Sequence, residues 1–413
     1  MAEGTGSSLD RREFFQTGAV ATASALAFSG AAQAADVPKA DAKPEIPKRK
    51  LGKTGAELTI LNLGTWLSPG LDRLVRAAYA SGVRVFDTAK SYGSEPGLAR
   101  WFQQQPEVRK EIFLVTKDVP RTPRDMIAKL DERLATLKVD SVDLFFIHAL
   151  GDHQSTDEAI NLVKRKEFKE TADAIRKSGK AKFVGFSSHH KDRAQIIQAA
   201  AEGGIVDAIM LQYTPWLKPD DPLNKALDAC HDKGIGLITM KQVAGQFADA
   251  KGGILDEIVA RAPVLKEKGL KPYQGLLHAI WSDERITTCC ISMRNTDQIR
   301  DNVAAALKYE GPLQHAEIRQ LRDAALAYGP TLCADCDGRC ARAGGTNASL
   351  GDLTRLLTYH EHHGYRSEAR RQYAELAEAD RAWHDADLEA AQNACPNRLN
   401  FGALLPKVDQ LLS

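Results

Sequence analysis

Four ionisable side chains, Asp87, Tyr92, Lys117 and His148, carry the clearest chemistry in this chain of 413 residues. Three of them close runs of β-branched and aromatic residues, in Val-Arg-Val-Phe-Asp87, Ile-Phe-Leu-Val-Thr-Lys117 and Asp-Leu-Phe-Phe-Ile-His148. Tyr92 follows the first run in Ala-Lys-Ser-Tyr92-Gly. If these runs are neighbouring parallel strands, an acid, a phenol, an amine and an imidazole gather at one edge of a sheet. Such a set can move a proton to or from a carbonyl oxygen. A free tyrosine, with a reference pKa of about 10, is a poorly matched acid at neutral pH. A neighbouring Lys117 ammonium is expected to lower that value, with Asp87 holding the amine charged and in place. His148 can hydrogen-bond the same oxygen and orient a substrate carbonyl. Protonating oxygen then requires hydride at carbon, a task normally given to a nicotinamide. Singly, each residue reads as a solvated loop charge or a structural histidine, and their joint placement on successive units is the signal.

The elements that must position them alternate between short apolar runs and longer helical ones. Strands are predicted over Leu58–Gly64, Val83–Thr88, Ile112–Lys117, Val142–His148, Phe183–Ser188, Ala208–Tyr213, Ile235–Met240 and Thr287–Met293. Helices are predicted over Asp72–Ala80, Pro123–Leu137, Ile160–Ser178 and Leu223–Asp232, with Gly82, Gly179 and Gly234 as stop signals before the next strand. Eight strand–helix units in about 250 residues predict a (β/α)8 TIM barrel. A doubly wound sheet would show the same alternation, but its dinucleotide-binding form wants Gly-x-Gly-x-x-Gly after the first strand. Here the first strand leads into Gly64-Thr65-Trp66-Leu67. A barrel also explains the four residues, because barrel active sites lie at the C-terminal ends of the strands.

The combination Phe86-Asp87-Thr88-Ala89, Ser91-Tyr92-Gly93, Val115-Thr116-Lys117 and Ile147-His148 resembles the aldo-keto reductase family, over roughly Lys48 to Leu307. The resemblance implies a TIM barrel using NADP(H) without a Rossmann motif, with Tyr92 as proton donor, Lys117 and Asp87 tuning it, and His148 orienting the carbonyl. It implies a small-molecule aldehyde, ketone or sugar carbonyl as substrate. Ser187, Ser188 and Gln212 match positions that hold the nicotinamide amide, although the family often has Ser-Asn where this chain has Ser187-Ser188. Met240 stands where a stacking Tyr is usual, with Lys241 next to it, and its sulfur can pack on a ring. Arg294, Gln298 and Asn302 match the segment gripping the adenosine end, with Arg294 as the candidate for the 2′-phosphate. Trp66, Trp216 and the Gln246–Gly253 loop are candidate walls of the substrate site.

Composition bounds the rest. With 43% hydrophobic and 26% charged residues the chain can build a sizeable core. A formal charge of +1 gives no electrostatic case for nucleic acid or an anionic membrane, and no stretch reads as a stable membrane span. Residues 1–35 read as a twin-arginine export signal: Arg11-Arg12 precedes Phe14-Phe15, then an Ala-rich stretch ends in Ala32-Gln33-Ala34. The expected route is the twin-arginine export machinery, and the expected location is the periplasm or another compartment outside the cytoplasm. Residues 36–50, rich in Pro and Lys, read as a linker, 51–310 as the barrel, and 311–413 as a helical, Cys-containing extension.

That extension carries Cys333, Cys336, Cys340 and, ahead of Pro396, Cys395. The set resembles the ferredoxin-like extension of some aldo-keto reductases, which would hold one [4Fe–4S] cluster and imply a redox partner. It departs from the usual Cys-x2-Cys-x2-Cys-x3-Cys-Pro spacing, because three residues separate Cys336 from Cys340 and the Cys-Pro is distant. Disulfides and a four-Cys zinc site fit the same residues. Haem attachment is not indicated, since Asp337 rather than His follows Cys336. His360-Glu361-His362-His363 reads as a solvated helix face, and Cys230, Cys289 and Cys290 as small core residues. NADPH is a cytosolic currency, so an exported enzyme would leave with nucleotide bound, regenerated by a second substrate or through the Cys-rich tail. The alternative is an exported, non-catalytic barrel that binds a sugar or a protein partner; the intact four residues weigh against it, and Met240 weighs for it.

Overall fold

The computed structural model describes residues 45–68, 70–242, 247, 250–327, 333 and 338–413. The export signal, most of the linker and Cys336 lie outside the described residues. Among the described residues, β1 (Lys48–Lys50) and β2 (Glu57–Thr59) form an antiparallel hairpin. The barrel strands follow: β3 (Leu61–Gly64), β4 (Val85–Asp87), β5 (Phe113–Asp118), β6 (Val142–Ile147), β7 (Ala181–Ser188), β8 (Ala208–Gln212), β9 (Gly236–Met240) and β10 (Ile286–Ser292). They pair in parallel in sequence order, and β10 closes on β3, giving the expected TIM barrel.

The period-2 alternation of the strands sorts their side chains. Val85, Val115, Leu144, Phe146, Ala208, Met210 and Ile238 fill the barrel interior, where Leu51 and Leu58 of the hairpin join them. Their alternates, such as Phe86, Leu114, Phe145 and Val184, pack outward into the core shared with the helices. The hairpin therefore plugs the N-terminal end and leaves the C-terminal mouth open. Its fit is close: Gly52 has φ +50°, and a Cβ there would lie 2.2 Å from the Gly234 carbonyl oxygen. No L-side chain fits.

Three expectations are corrected. The predicted first strand is two strands, turned at Ile60, whose N–H donates to the Pro47 carbonyl (2.9 Å) so that β2 pairs with β1 rather than with the barrel. Lys48–Lys50, read as linker, is thus a strand. The long helix over Ile160–Ser178 is two, Thr156–Lys164 and Lys166–Ser178, because Arg165 is extended (ψ 135°) and Ser155 with Glu158 caps the first helix reciprocally. The barrel also outruns residue 310: helix His315–Ala327 buries Leu321, Ala324 and Ala325 in the barrel's own core. The extension's separate core begins at Cys340 and gathers Leu353, Leu356, Leu357, Phe401, Leu405 and Val408 from its helices.

Candidate active site

Asp87 and Lys117 are in phase with the interior residues Val85 and Val115, so both point inward at the mouth. Lys117 Nζ donates to Asp87 Oδ1 and Oδ2 at 2.5 and 2.6 Å and to the Thr88 carbonyl at 3.0 Å. Lysine and aspartate are 1% and 2% exposed, so this is a sealed ion pair. The same ammonium lies 5.2 Å from the centre of the Tyr92 ring. His148 extends the β5–β6 ladder by one bond, its N–H donating to the Asp118 carbonyl at 2.8 Å. Its ring stands edge-on to Tyr92 with centroids 5.5 Å apart. All four predicted catalytic residues therefore converge at one edge of the mouth.

A network absent from the sequence reading fixes the Tyr92 loop. Tyr92 ends a single 3₁₀ turn (Lys90–Tyr92), and Gly93 at φ +65° releases the chain into helix Glu95–Gln104. The Ser94 hydroxyl lies 2.7 Å from both the Thr65 and Thr88 hydroxyls. Buried Glu95 accepts from Thr116 (2.7 Å) and from Arg133 (2.7 Å), and Arg133 pairs with Asp118 at 3.1 Å. The loop bearing Tyr92 is thus tied to the strand bearing Lys117.

The electrostatics correct one expectation. Tyr92 is pushed well above its ordinary pKa, first by burial and then by the Asp87 carboxylate, rather than lowered by Lys117. The Lys117 ammonium is paired with Asp87. Burial raises Asp87 too, with Lys117 pulling the other way. His148 is lowered to about 3 by burial, then by the charges of Lys117 and Lys241. Above the mouth the site holds a neutral phenol and a neutral imidazole.

The residues expected to hold the cofactor divide. Met240, Gln212, Arg294, Gln298 and Asn302 line the same cavity of about 1290 Å³ as Tyr92 and His148. Lys241 lines it as well, on a left-handed backbone (φ 56°). Ser187 is buried just inside, its hydroxyl accepting from the Ala149 N–H at 3.0 Å. Ser188 is not brought to the cavity: alternation turns it outward, and its hydroxyl donates to the Leu150 carbonyl at 2.8 Å. The extension reaches two of these positions. Gln212 Nε2 donates to the Cys333 carbonyl at 3.2 Å, and Arg294 donates to the His363 carbonyl with its guanidinium 4.4 Å from the centre of the Tyr365 ring.

Other expectations move. Trp66 lines the cavity, but Trp216 is buried in the barrel core. Of the Gln246–Gly253 loop, 246, 248 and 249 lie outside the described residues. Cys230 and Cys289 are core, whereas Cys290 faces the cavity beside Asp87; its phase with Ser292 and Gly64 on paired strands was the legible signal. The His360–His363 run is solvated only in part: Glu361 is exposed and His362 and His363 are half-buried. His360 is buried with neither ring nitrogen hydrogen-bonded, and His363 stacks on Tyr359 at 5.5 Å. Cys340 and Cys395 are buried in the extension's apolar cluster, with Cys333 packed against it. Among the described residues no three His, Cys, Asp or Glu side chains are grouped to hold a metal.

A closed parallel barrel with ionisable side chains gathered at its C-terminal mouth has the layout of a TIM-barrel enzyme site. The sequence model of the Aldo/keto reductase family matches residues 68–325. The chain belongs to that family and is an oxidoreductase. It is 24% identical over 308 residues to an L-glyceraldehyde 3-phosphate reductase of Escherichia coli, covering 62% of this chain and 86% of the relative. It is 27% identical over 270 residues to an aldehyde reductase of Saccharomyces cerevisiae (60% and 83% covered). An L-galactose dehydrogenase of Arabidopsis thaliana is 24% identical over 296 residues (64% and 90%). The holo form of an aldo-keto reductase from Bacillus halodurans shares the fold, at a TM-score of 0.52 and 18% identity over 68% of this chain and 96% of that one.

Proposed function

We propose that this chain reduces the carbonyl group of a small molecule with NADPH, Tyr92 supplying the proton. The observation that carries the reading is the sealed Lys117–Asp87 pair under the Tyr92 ring, facing His148. The cavity above it suits a dinucleotide and a substrate together: about 1290 Å³ exceeds the roughly 300–1,000 Å³ of ordinary small-molecule sites. The donors also suit the group, since Gln212, Gln298 and Asn302 line the cavity and the buried Arg294 Nε has no hydrogen-bond partner. In this reading Ser187 and Gln212 hold the carboxamide, Met240 packs on the ring, and Arg294 pairs with the 2′-phosphate. When bound, the nicotinamide supplies hydride to the carbonyl carbon.

His148, neutral at working pH, donates to the carbonyl oxygen and aims it at the Tyr92 hydroxyl. As charge develops on that oxygen, Tyr92 gives up its proton, and an alcohol leaves while solvent reprotonates the phenolate. A phenol held above its ordinary pKa can still protonate an alkoxide, which is a far stronger base. Lys117, fixed by Asp87, lies close enough to stabilise the transient phenolate. The reductase names of the bacterial and yeast relatives support carbonyl reduction, and the plant dehydrogenase supports the same chemistry run backwards.

Tyr92→Phe tests the reading. Aldehyde-dependent NADPH oxidation should fall by about 10²–10⁴, while NADPH affinity by fluorescence titration changes little. Undiminished turnover would sink Tyr92 as the donor. The non-catalytic binding alternative requires instead that wild-type protein oxidise no NADPH with any aldehyde.

Two further parts of the reading concern the ends of the chain. We propose export through the twin-arginine pathway on the strength of Arg11-Arg12 and the following Ala-rich stretch; replacing both arginines with lysine should strand the protein in the cytoplasm. We propose one [4Fe–4S] cluster on Cys333, Cys336, Cys340 and Cys395, supported by the shared burial of Cys340 and Cys395 in one apolar cluster. Iron and acid-labile sulfide in anaerobically purified protein would support it. Zinc in the metal analysis, or thiols lost to disulfides, would replace it.

A further inference from the structure

The nucleotide reading gives Arg294 a phosphate to hold, but a long side chain has many rotamers, and nothing in the strand before it aims the guanidinium. The extension does. Its helix Leu350–Glu361 ends in a turn through Gly364 at φ +68°. There the His362 N–H donates to the Thr358 carbonyl and the Tyr365 N–H to the Tyr359 carbonyl, both at 2.9 Å. The turn places the His363 carbonyl at the negative end of the helix, where a cation is favoured, and Arg294 Nη1 donates to it. A Cβ on Gly364 would lie 3.3 Å from that nitrogen, so a glycine here lets the guanidinium approach closely.

Tyr365 sets the other constraint. Its ring lies 4.4 Å from the guanidinium centre. The ring is buried and held by Trp66 at 4.9 Å, His363 at 6.0 Å and Tyr359 at 6.3 Å, each packed edge-on. With Nη1 bonded and one side covered, the buried Nε is left without a hydrogen-bond partner. A guanidinium anchored in this way presents its remaining donors in a preset direction, which is what bidentate phosphate recognition needs. Arg294 and Tyr365 both line the main cavity and a neighbouring groove of about 580 Å³, so together they form the partition between them.

The other cations lining the cavity are paired or stand elsewhere. Lys271 pairs with Asp301 at 2.7 Å, and Arg371 with Glu368. Arg355 pairs with Asp352 at 2.6 Å on helix Leu350–Glu361. Their charges act on Asp152, in the loop after β6, which meets His189 of the loop after β7 at 3.2 Å. Lys241, after β9, acts on His148 and His189, while Lys191 and Arg342 come together beside Gly338. In the groove, Arg100 and Arg366 add positive charge near Arg294, and the Glu368 there is the one paired with Arg371. The surroundings of Arg294 therefore favour a dianion.

We infer that Tyr365 is a positioning residue for the 2′-phosphate of the nucleotide: with the His363 carbonyl it fixes the Arg294 guanidinium, so that the choice of NADPH over NADH is made in part by the extension. The inference rests on the NADPH reading above and deepens it. Tyr365 reaches the phosphate only through Arg294. It must therefore help one nucleotide and leave the other alone, and its effect must vanish once Arg294 is gone.

A double-mutant cycle on full-length mature protein reads both features, with Kd for NADPH and for NADH taken from fluorescence titration. Tyr365→Leu should raise the NADPH Kd about fivefold, in the range of one cation–aromatic contact, and the NADH Kd by less than about twofold. Tyr365→Phe keeps the ring and should match wild type. In the Arg294→Ala background, Tyr365→Leu should change neither Kd further. Melting curves check the fold, and Tyr365→Met, more adaptable in shape, repeats the reading if the Leu variant melts early. An equal rise for both nucleotides, an unchanged NADPH Kd, or the same effect persisting without Arg294 overturns the inference while the reductase reading stands. If wild-type protein binds neither nucleotide, that reading fails and this inference falls with it.

Discussion

The two sides of the cavity are built in opposite ways. The reaction corner hangs from consecutive barrel strands, and its one ion pair is sealed from solvent. The opposing wall hangs from two loops and a helix beyond the barrel, and its pairs are partly open: Asp152 and His189 are 24% and 21% exposed. Rigid strand ends hold reacting atoms to within a fraction of an ångström, as proton transfer needs. Loops and appended helices can change sequence without disturbing the barrel, which suits selection among substrates. The two sides of the cavity thus rest on separately mutable parts of the molecule.

The sharpest way to break that contrast is to cut the sealed pair. Lys117→Met leaves the Asp87 carboxyl buried without its partner, and removing one partner of a buried pair typically costs about 3–5 kcal/mol. The double variant Asp87→Asn/Lys117→Met should recover much of that stability, by denaturant melts, without recovering turnover. If Lys117→Met melts like wild type, the corner is not sealed and the contrast fails. Cutting Arg355–Asp352 on the opposite wall should cost less, because that pair is partly open.

Charge state separates the sides again. His148 titrates near 3 in the folded protein against about 6.5 when free. A folded value below the free one means its share of stability is whole above about pH 6.5 and is lost as pH falls toward 3. Neutral His148→Gln should remove a few kcal/mol of the acid-side slope in stability–pH profiles. His363, at the extension's edge, is lowered only to about 4, so His363→Gln should remove less. Equal slopes in both variants would put the two histidines in equivalent surroundings.

The corner was legible in sequence because strand ends follow a period of two, and a polar residue closing an apolar run declares its position. Barrel strands were legible for the same reason, to within a residue or two. The hairpin was not, because Leu58–Gly64 contains no Gly, Pro or Asp near Ile60 to mark the turn there. The wall was not, because Asp152 and His189 sit in loops where polar residues are ordinary, and Arg355 reaches the cavity only through the packing of a separate core. The His360–His363 run misled at its first residue: its polarity suggested solvent, while His360 is buried and Glu361 is exposed. Tyr92 misled in another way, since burial and then the Asp87 carboxylate set the direction of its shift, and neither is written in the spacing of the strand ends.

Arg294 belongs to both sides, as a barrel residue that the extension's turn also contacts. If it also grips the 2′-phosphate, Arg294→Ala should weaken NADPH relative to NADH about tenfold, the worth of roughly one charge-assisted hydrogen bond. Fluorescence titration with both nucleotides reads the ratio. An unchanged ratio would assign Arg294 to the extension alone.

The smallest expected effect is the most exacting, because it separates two adjacent hydroxyls that sequence resemblance treats alike. Ser187 and Ser188 both match amide-holding positions, yet the strand can present only one of them inward. Ser187 is the inward one, and its hydroxyl accepts from Ala149 while buried under the mouth. Ser188 turns outward to the Leu150 carbonyl and accepts from the His190 N–H at 3.3 Å, so it ties two loops together. Ser187→Ala should therefore raise the NADPH Kd about fivefold, one net hydrogen bond of about 1 kcal/mol. Ser188→Ala should lower stability by a similar amount and shift the Kd less than about twofold. The reverse pattern would mean that β7 enters the mouth one residue out of phase. Every inward assignment made from that strand, including the approach of His189 to Asp152, would then have to be redrawn.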